Sequence, residues 1–112
     1  MIHGNVVEGV MSQTDMDAMM YKIEGEDLYL IGTSEHSMIG RFIDQIIPSD
    51  KLPQTLTSYS PCFRKEKGSH GIEERGVYRI HQFEKQEMIV VCKPEDSKAW
   101  YDKLWNFSVE LF

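Results

Sequence analysis

Hydrophobic positions follow helical and strand periods along most of the chain. Residues 12–20 (SQTDMDAMM) begin with a capping serine, carry Asp15 in the first turn and set Met16, Met19 and Met20 at i, i+3, i+4 spacing, which predicts a short helix. The apolar run 28–31 (LYLI), closed by Gly32, predicts a buried strand. From 35 to 47, Met38, Ile39, Phe42, Ile43 and Ile46 keep the helical period and Pro48 stops it, which predicts an amphipathic helix. Residues 56–64 (LTSYSPCFR) have strand composition, with Pro61 marking an edge, bulge or bend. Residues 77–83 and 87–92 are also strand-like, and Gly68, Gly71 and Gly76 punctuate the polar stretch before them, so a hairpin is expected. Pro94, Glu95 and Asp96 open a last helix with Trp100, Leu104, Phe107 and Leu111 on one face. The order helix, strand, helix, strands, helix predicts an α+β fold, a mainly antiparallel sheet with flanking helices.

At 112 residues the chain has room for one small domain, and 41% hydrophobic with 27% charged residues excludes disordered and collagen-like classes. Two cysteines, Cys62 and Cys92, are too few for a Cys-only zinc site and fit small, reduced core residues. No metal site is expected from the sequence. No apolar run approaches the ~20 residues of a membrane span and no secretory signal pattern opens the chain, so a cytoplasmic protein without a membrane partner is expected.

Formal net charge is −6, and residues 1–56 carry all of it: three basic against nine acidic side chains, while 57–112 hold nine of each. Basic residues are concentrated between Arg64 and Lys85, where the local balance is +2. That pattern fits a local anion site and lacks the broad basic patch of a non-specific nucleic-acid binder.

Three spacings bring polar or aromatic groups to one side if the segments are extended: Thr33 with Glu35, Arg64 with Glu66, and Phe83 with Glu87. Each alone has an ordinary alternative: Thr-x-Glu can be a strand end or a helix cap, Arg-x-Glu a surface ion pair, and Phe-x-x-x-Glu core plus rim.

The stretch Cys62-Phe63-Arg64-Lys65-Glu66, the glycine-rich segment 68–76 and residues 77–87 (VYRIHQFEKQE) resemble motif 2 of the class II aminoacyl-tRNA synthetases, and among them the seryl enzymes most closely. The resemblance extends upstream through residues 27–31 and Thr33-Ser34-Glu35, downstream through residues 93–97, and covers most of the chain from about Val6. It implies that Thr33 and Glu35 line a serine pocket and that Glu87 holds the serine amino group. It further implies Arg64 on the ATP α-phosphate as the catalytic group, Glu66 hydrogen-bonded to the adenine and Phe83 stacked on it. Lys67, Ser69, His70 and Arg75 become candidates for contact with the tRNA acceptor end.

The chemistry is consistent with these roles. A pocket built to hydrogen-bond a hydroxyl rejects analogues lacking it, and a guanidinium offsets the repulsion between a substrate carboxylate and a phosphate. The attacking carboxylate is already an anion, so His70 and His81 are not needed as bases.

The resemblance also implies what lies elsewhere in such enzymes. Motif 1 and motif 3 have no counterpart in residues 1–112, which then form a partial class II catalytic domain, with magnesium ligands mostly outside this chain. Serine, ATP and the serine tRNA are the expected partners of a serine-tRNA ligase, and the isolated chain is expected to activate serine weakly or not at all. A non-catalytic or carrier-protein-charging relative that binds ATP and an amino acid is the alternative, and a purely structural domain a third. Apolar surface left uncovered predicts a homo-oligomer.

Overall fold

Two ten-residue strands, β1 (Gln54–Phe63) and β2 (Gln82–Val91), form the centre of the computed structural model, which describes residues 1–66 and 79–112. They pair antiparallel in one unbroken register from Gln54↔Val91 to Phe63↔Gln82. The antiparallel pairing expected of the hairpin is therefore present, while the glycine-rich residues between, 67–78, lie outside the described residues; Pro61 opposes Glu84 with no inserted residue. Where the sequence reading separates two strands, at residues 84–86, the structure has one, because the polar residues alternate with the faces. Glu84 and Gln86 are exposed, whereas Lys85 is half-buried. Pairing of Cys62 with Phe83, Ser60 with Lys85 and Ser58 with Glu87 places these six residues on the less exposed face.

Helices flank this ribbon. Helix α1 (Gly4–Glu8) is five residues long with no periodic signal, and the sequence reading did not include it. Helix α2 (Gln13–Met19) has the expected Ser12 cap, whose hydroxyl accepts the Asp15 N–H at 3.2 Å. Met16 of α2 and Met20 just beyond it, with Val7 and Tyr29, make the main buried cluster, against which Ile2 and Met11 pack.

The run 28–31 does not form a strand of a sheet. Tyr29 bridges singly to Ile2 on one side and Lys22 on the other, since each neighbour is extended only briefly at the crossing. It nonetheless steers the chain: Ile31 C=O accepts the Phe63 N–H at 2.8 Å, which delivers Gly32 and Thr33 to the end of β1.

Helix α3 (Ser34–Gly40) begins as expected but ends about two turns early. Asp44 has φ +56, and the apolar Ile43 and Ile46 beyond the helix are exposed, Ile46 almost fully. Helical period alone could not reveal this stop. Gly40 lies where α1 meets α3: a Cβ there would come within 2.6 Å of Val6 Cγ1. α3 packs on both strands.

The last helix, α4 (Ser97–Leu111), follows a 3-10 turn at Pro94–Asp96. Trp100 and Leu104 on its apolar face are half-buried, while Phe107 and Leu111 are exposed. Cys62 is fully buried, and both cysteines are free thiols. No helix among the described residues is long and apolar enough to cross a membrane.

Candidate functional site

The junction between the α3 N-terminus and the inner face of the strands gathers most of the polar residues singled out from the sequence. Thr33 caps α3, the helix-cap alternative of the Thr-x-Glu spacing; its hydroxyl accepts the Glu35 N–H at 3.4 Å. A threonine in this place satisfies an orphan helix donor and keeps its hydroxyl proton free to act elsewhere. That proton goes to Glu87: Thr33 Oγ1 donates to Glu87 Oε1 at 3.2 Å, across 54 residues of chain.

Lys85 completes this cluster. Its ammonium forms an ion pair with the Glu87 carboxylate and donates to Thr33 Oγ1 at 3.4 Å. Sequence analysis did not single it out, although the signal was present: Phe83, Lys85 and Glu87 are i, i+2 and i+4 of one strand and share its face.

Arg64 reaches the same region from the end of β1. Its Nε donates to Gly32 C=O at 3.0 Å, and its guanidinium carbon lies 5.2 Å from the centre of the Phe83 ring, a cation–π contact. Its backbone is held as firmly. Arg64 N–H donates to His81 C=O at 2.9 Å, and His81 Nδ1 lies 3.0 Å from Arg64 C=O. Tyr21 Oη lies 2.9 Å from the same nitrogen. His81 therefore holds the Arg64 backbone in place.

Glu66 is set apart from the Thr33 cluster. It has φ +53, uncommon for a residue other than glycine, and accepts an ion-paired hydrogen bond from Arg79 Nη1 at 3.1 Å. Neither Arg64 nor Glu66 belongs to β1, so the two-residue spacing expected to align them does not operate. Lys67, Ser69, His70 and Arg75 lie outside the described residues.

A cavity of about 280 Å³ opens beside the cluster. Thr33, Glu35, His36 and Arg64 supply its polar wall, and Met11, Met19 and Ile39 part of its apolar one. Phe83 and Glu87 do not line the cavity; they flank the same junction on the strand face. His36, also missed from sequence, is 5% exposed, and its Nδ1 has no hydrogen-bond partner among the described residues. Burial pushes the His36 imidazole below its ordinary value; Glu35 opposes this, and Arg64 and Lys85 push it further down. A neutral His36 adds no third cation beside Arg64 and Lys85. Among the described residues no group of three or more His, Cys, Asp or Glu side chains could hold a metal ion.

Residues 19–112 match the family described as tRNA synthetase class II core domain (G, H, P, S and T). Over all 112 residues the chain is 46% identical to a serine–tRNA ligase of Thermococcus sibiricus, spanning 25% of that protein. It is 45% identical over 112 residues to one of Cenarchaeum symbiosum, of which it spans 27%. Among solved structures, seryl-tRNA synthetase from Pyrococcus horikoshii complexed with ATP superposes with a TM-score of 0.89 at 41% identity, over 99% of this chain and 25% of that one. Cytoplasmic serine–tRNA ligase from Naegleria fowleri in complex with AMP gives 0.74 at 37% identity, over 89% of this chain and 24% of that one. The chain thus spans about a quarter of the length of the curated relatives it matches.

Proposed function

The chain belongs to the class II tRNA synthetase core domain family (G, H, P, S and T), and on that premise we propose that its strand face holds serine and the nucleotide during formation of seryl-adenylate, as part of a cytoplasmic serine–tRNA ligase. The carrying observation is the convergence of Thr33 and Glu87, 3.2 Å apart, with Arg64 and Phe83, 5.2 Å apart, at one junction. A serine ammonium would take Glu87 as its counterion and the Thr33 hydroxyl as an acceptor, with Glu35 on the wall of the adjoining cavity. The adenine would stack on Phe83, a contact worth about 1 to 3 kcal/mol per base in related settings, with Glu66 at its edge.

Adenylation brings an anionic carboxylate onto an anionic α-phosphate, and charge builds on the phosphate oxygens in the transition state. Arg64 is the group that stabilises it, and its tether to Gly32 fixes the guanidinium before reaction, so little reorganisation is required. The nucleophile is already an anion and needs no base. Magnesium would accompany ATP; the described residues do not fit a metal site, and no step is assigned to one. Transfer to the serine tRNA would use Lys67, Ser69, His70 and Arg75.

The test is calorimetric titration with a non-hydrolysable seryl-adenylate analogue, on the wild type and on Arg64→Ala. Saturable binding, weakened about tenfold or more by the substitution, is expected, because hydrogen bonds to charged groups contribute about 1.5 to 3 kcal/mol. Binding that ignores the substitution, or no binding at all, contradicts the proposal. Nucleotide binding with no preference for the seryl group would favour a non-catalytic or carrier-protein-charging relative.

A further inference from the structure

Along the inner face of β2 the side chains run aromatic, cation, anion: Phe83, Lys85, Glu87. Successive members are about 7 Å apart at strand rise. The cation in the middle is engaged: Lys85 pairs with Glu87 and donates to Thr33 Oγ1 at 3.4 Å, the two groups proposed above to take a ligand ammonium. The Lys85 side chain is 33% exposed and that of Glu87 13%, so the carboxylate is the more deeply buried of the pair.

We propose that Lys85 is the resident counterion of this subsite, exchanged on binding, and that it makes the site selective for zwitterionic α-amino acids over amines; the inference rests on the serine-binding reading. Thr33 and Lys85 both meet Glu87 at Oε1, so a ligand ammonium seated between the Thr33 hydroxyl and that oxygen competes with Lys85 for the same place. When a ligand ammonium takes it, Lys85 loses its partner and must find another anion, because an unpaired charge in a partly buried site is costly. Lysine suits the exchange: its charge rides on a flexible four-carbon stem with rotatable donors. Arg64 is poorly placed to follow, being tied to Gly32 through Nε and laid on the Phe83 ring.

The anion available to the displaced Lys85 is the one adjoining the ammonium on the ligand, a carboxylate or, after adenylation, the acyl-phosphate. The sequence of charges on the strand then matches base, phosphate or carboxylate, and ammonium in an aminoacyl nucleotide. A ligand with an ammonium but no carboxylate would leave Lys85 stranded, so the pair acts as a filter for both halves of the zwitterion.

Serine and ethanolamine are matched probes, since ethanolamine is serine without its carboxylate. Each is titrated into the wild type, Lys85→Met and Lys85→Arg, following the Thr33 amide by NMR, with far-UV circular dichroism as a check on folding. The wild type is expected to favour serine by about tenfold or more. Lys85→Met, which keeps most of the stem, should bind ethanolamine more tightly and serine more weakly, so that the preference collapses; Lys85→Arg should retain it. A wild-type serine-to-ethanolamine ratio in Lys85→Met overturns the counterion proposal and leaves the serine site standing. Loss of preference in Lys85→Arg equal to that in Lys85→Met also overturns it. A wild type that binds neither probe overturns the serine reading itself, and this proposal with it.

Discussion

Replacing Glu87 by Gln keeps the side-chain volume and one acceptor for the Thr33 hydroxyl while removing the charge, so two consequences can be weighed separately. In the free chain Lys85 loses its ion-pair partner. With about a third of the lysine exposed, that loss is discounted by solvent to about 1 kcal/mol at most. For a domain of this size the melting temperature should fall by only a few degrees. In the complex, the ligand ammonium loses a carboxylate that is 13% exposed and already oriented by Thr33. A charged hydrogen bond of this kind is worth about 1.5 to 3 kcal/mol, or roughly 10- to 150-fold in affinity.

The assay is calorimetric titration of wild type and Glu87→Gln with the seryl-adenylate analogue and with AMP, beside a thermal melt. Binding of the analogue should weaken within that range. AMP, which has no ammonium, should bind both chains alike. Unchanged analogue affinity in a folded variant, or an equal loss for AMP, would refute the assignment of Glu87 to the ammonium.

Three further outcomes follow from the fold. Gly40→Ala, at the last position of α3, gains less than the ~1 kcal/mol of helix propensity of an interior site but drives a methyl to 2.6 Å from the stiff, β-branched Val6, and such overpacking costs about 1 to 3 kcal/mol. The melting temperature should therefore fall, and Val6→Ala in the same chain should recover most of the loss. His36 has a lowered pKa in the folded state, so between the ordinary value of 6.5 and that lower one the unfolded chain binds more protons. Its stability contribution is full above 6.5 and is lost as pH falls below it; His36→Gln should flatten that part of the stability profile, and an unchanged profile would contradict the burial argument. Trp105 at 62% and Leu111 at 77% exposure leave apolar surface on α4, so self-association is expected by light scattering, against which a strictly monomeric species at high concentration would count.

Strand β1 was legible from its composition and lies within two residues of the expected place, whereas β2 was expected as two runs, 77–83 and 87–92, because Glu84, Lys85 and Gln86 look like a polar break until their alternation across the two faces is seen; residues 77 and 78 lie outside the described residues. Helix α3 was not legible, because Met38, Ile39, Phe42, Ile43 and Ile46 satisfy the helical period equally whether or not the backbone turns at Asp44. The run 28–31 has strand composition, but a ladder needs a neighbour of matching length, and Ile2 and Lys22 each meet it at one residue. At the site, Thr33, Arg64, Phe83 and Glu87 were found from spacing and family likeness, and the structure brings them to one junction. Lys85 was not legible because a lysine between Glu84 and Gln86 in a polar run has the pattern of a solvated strand position, and only the shared face with Phe83 and Glu87 marks it. His36 escaped because nothing in a one-dimensional pattern distinguishes a buried imidazole from a surface one.

A crystal structure of the chain with the seryl-adenylate analogue tests the central claim most directly. The account predicts the ammonium within hydrogen-bond reach of Glu87 and Thr33, the phosphate facing Arg64, and the base on the Phe83 ring. An analogue seated between α4 and the strands, beside Trp100 and Leu104, or bound with its ammonium away from Glu87, would contradict it.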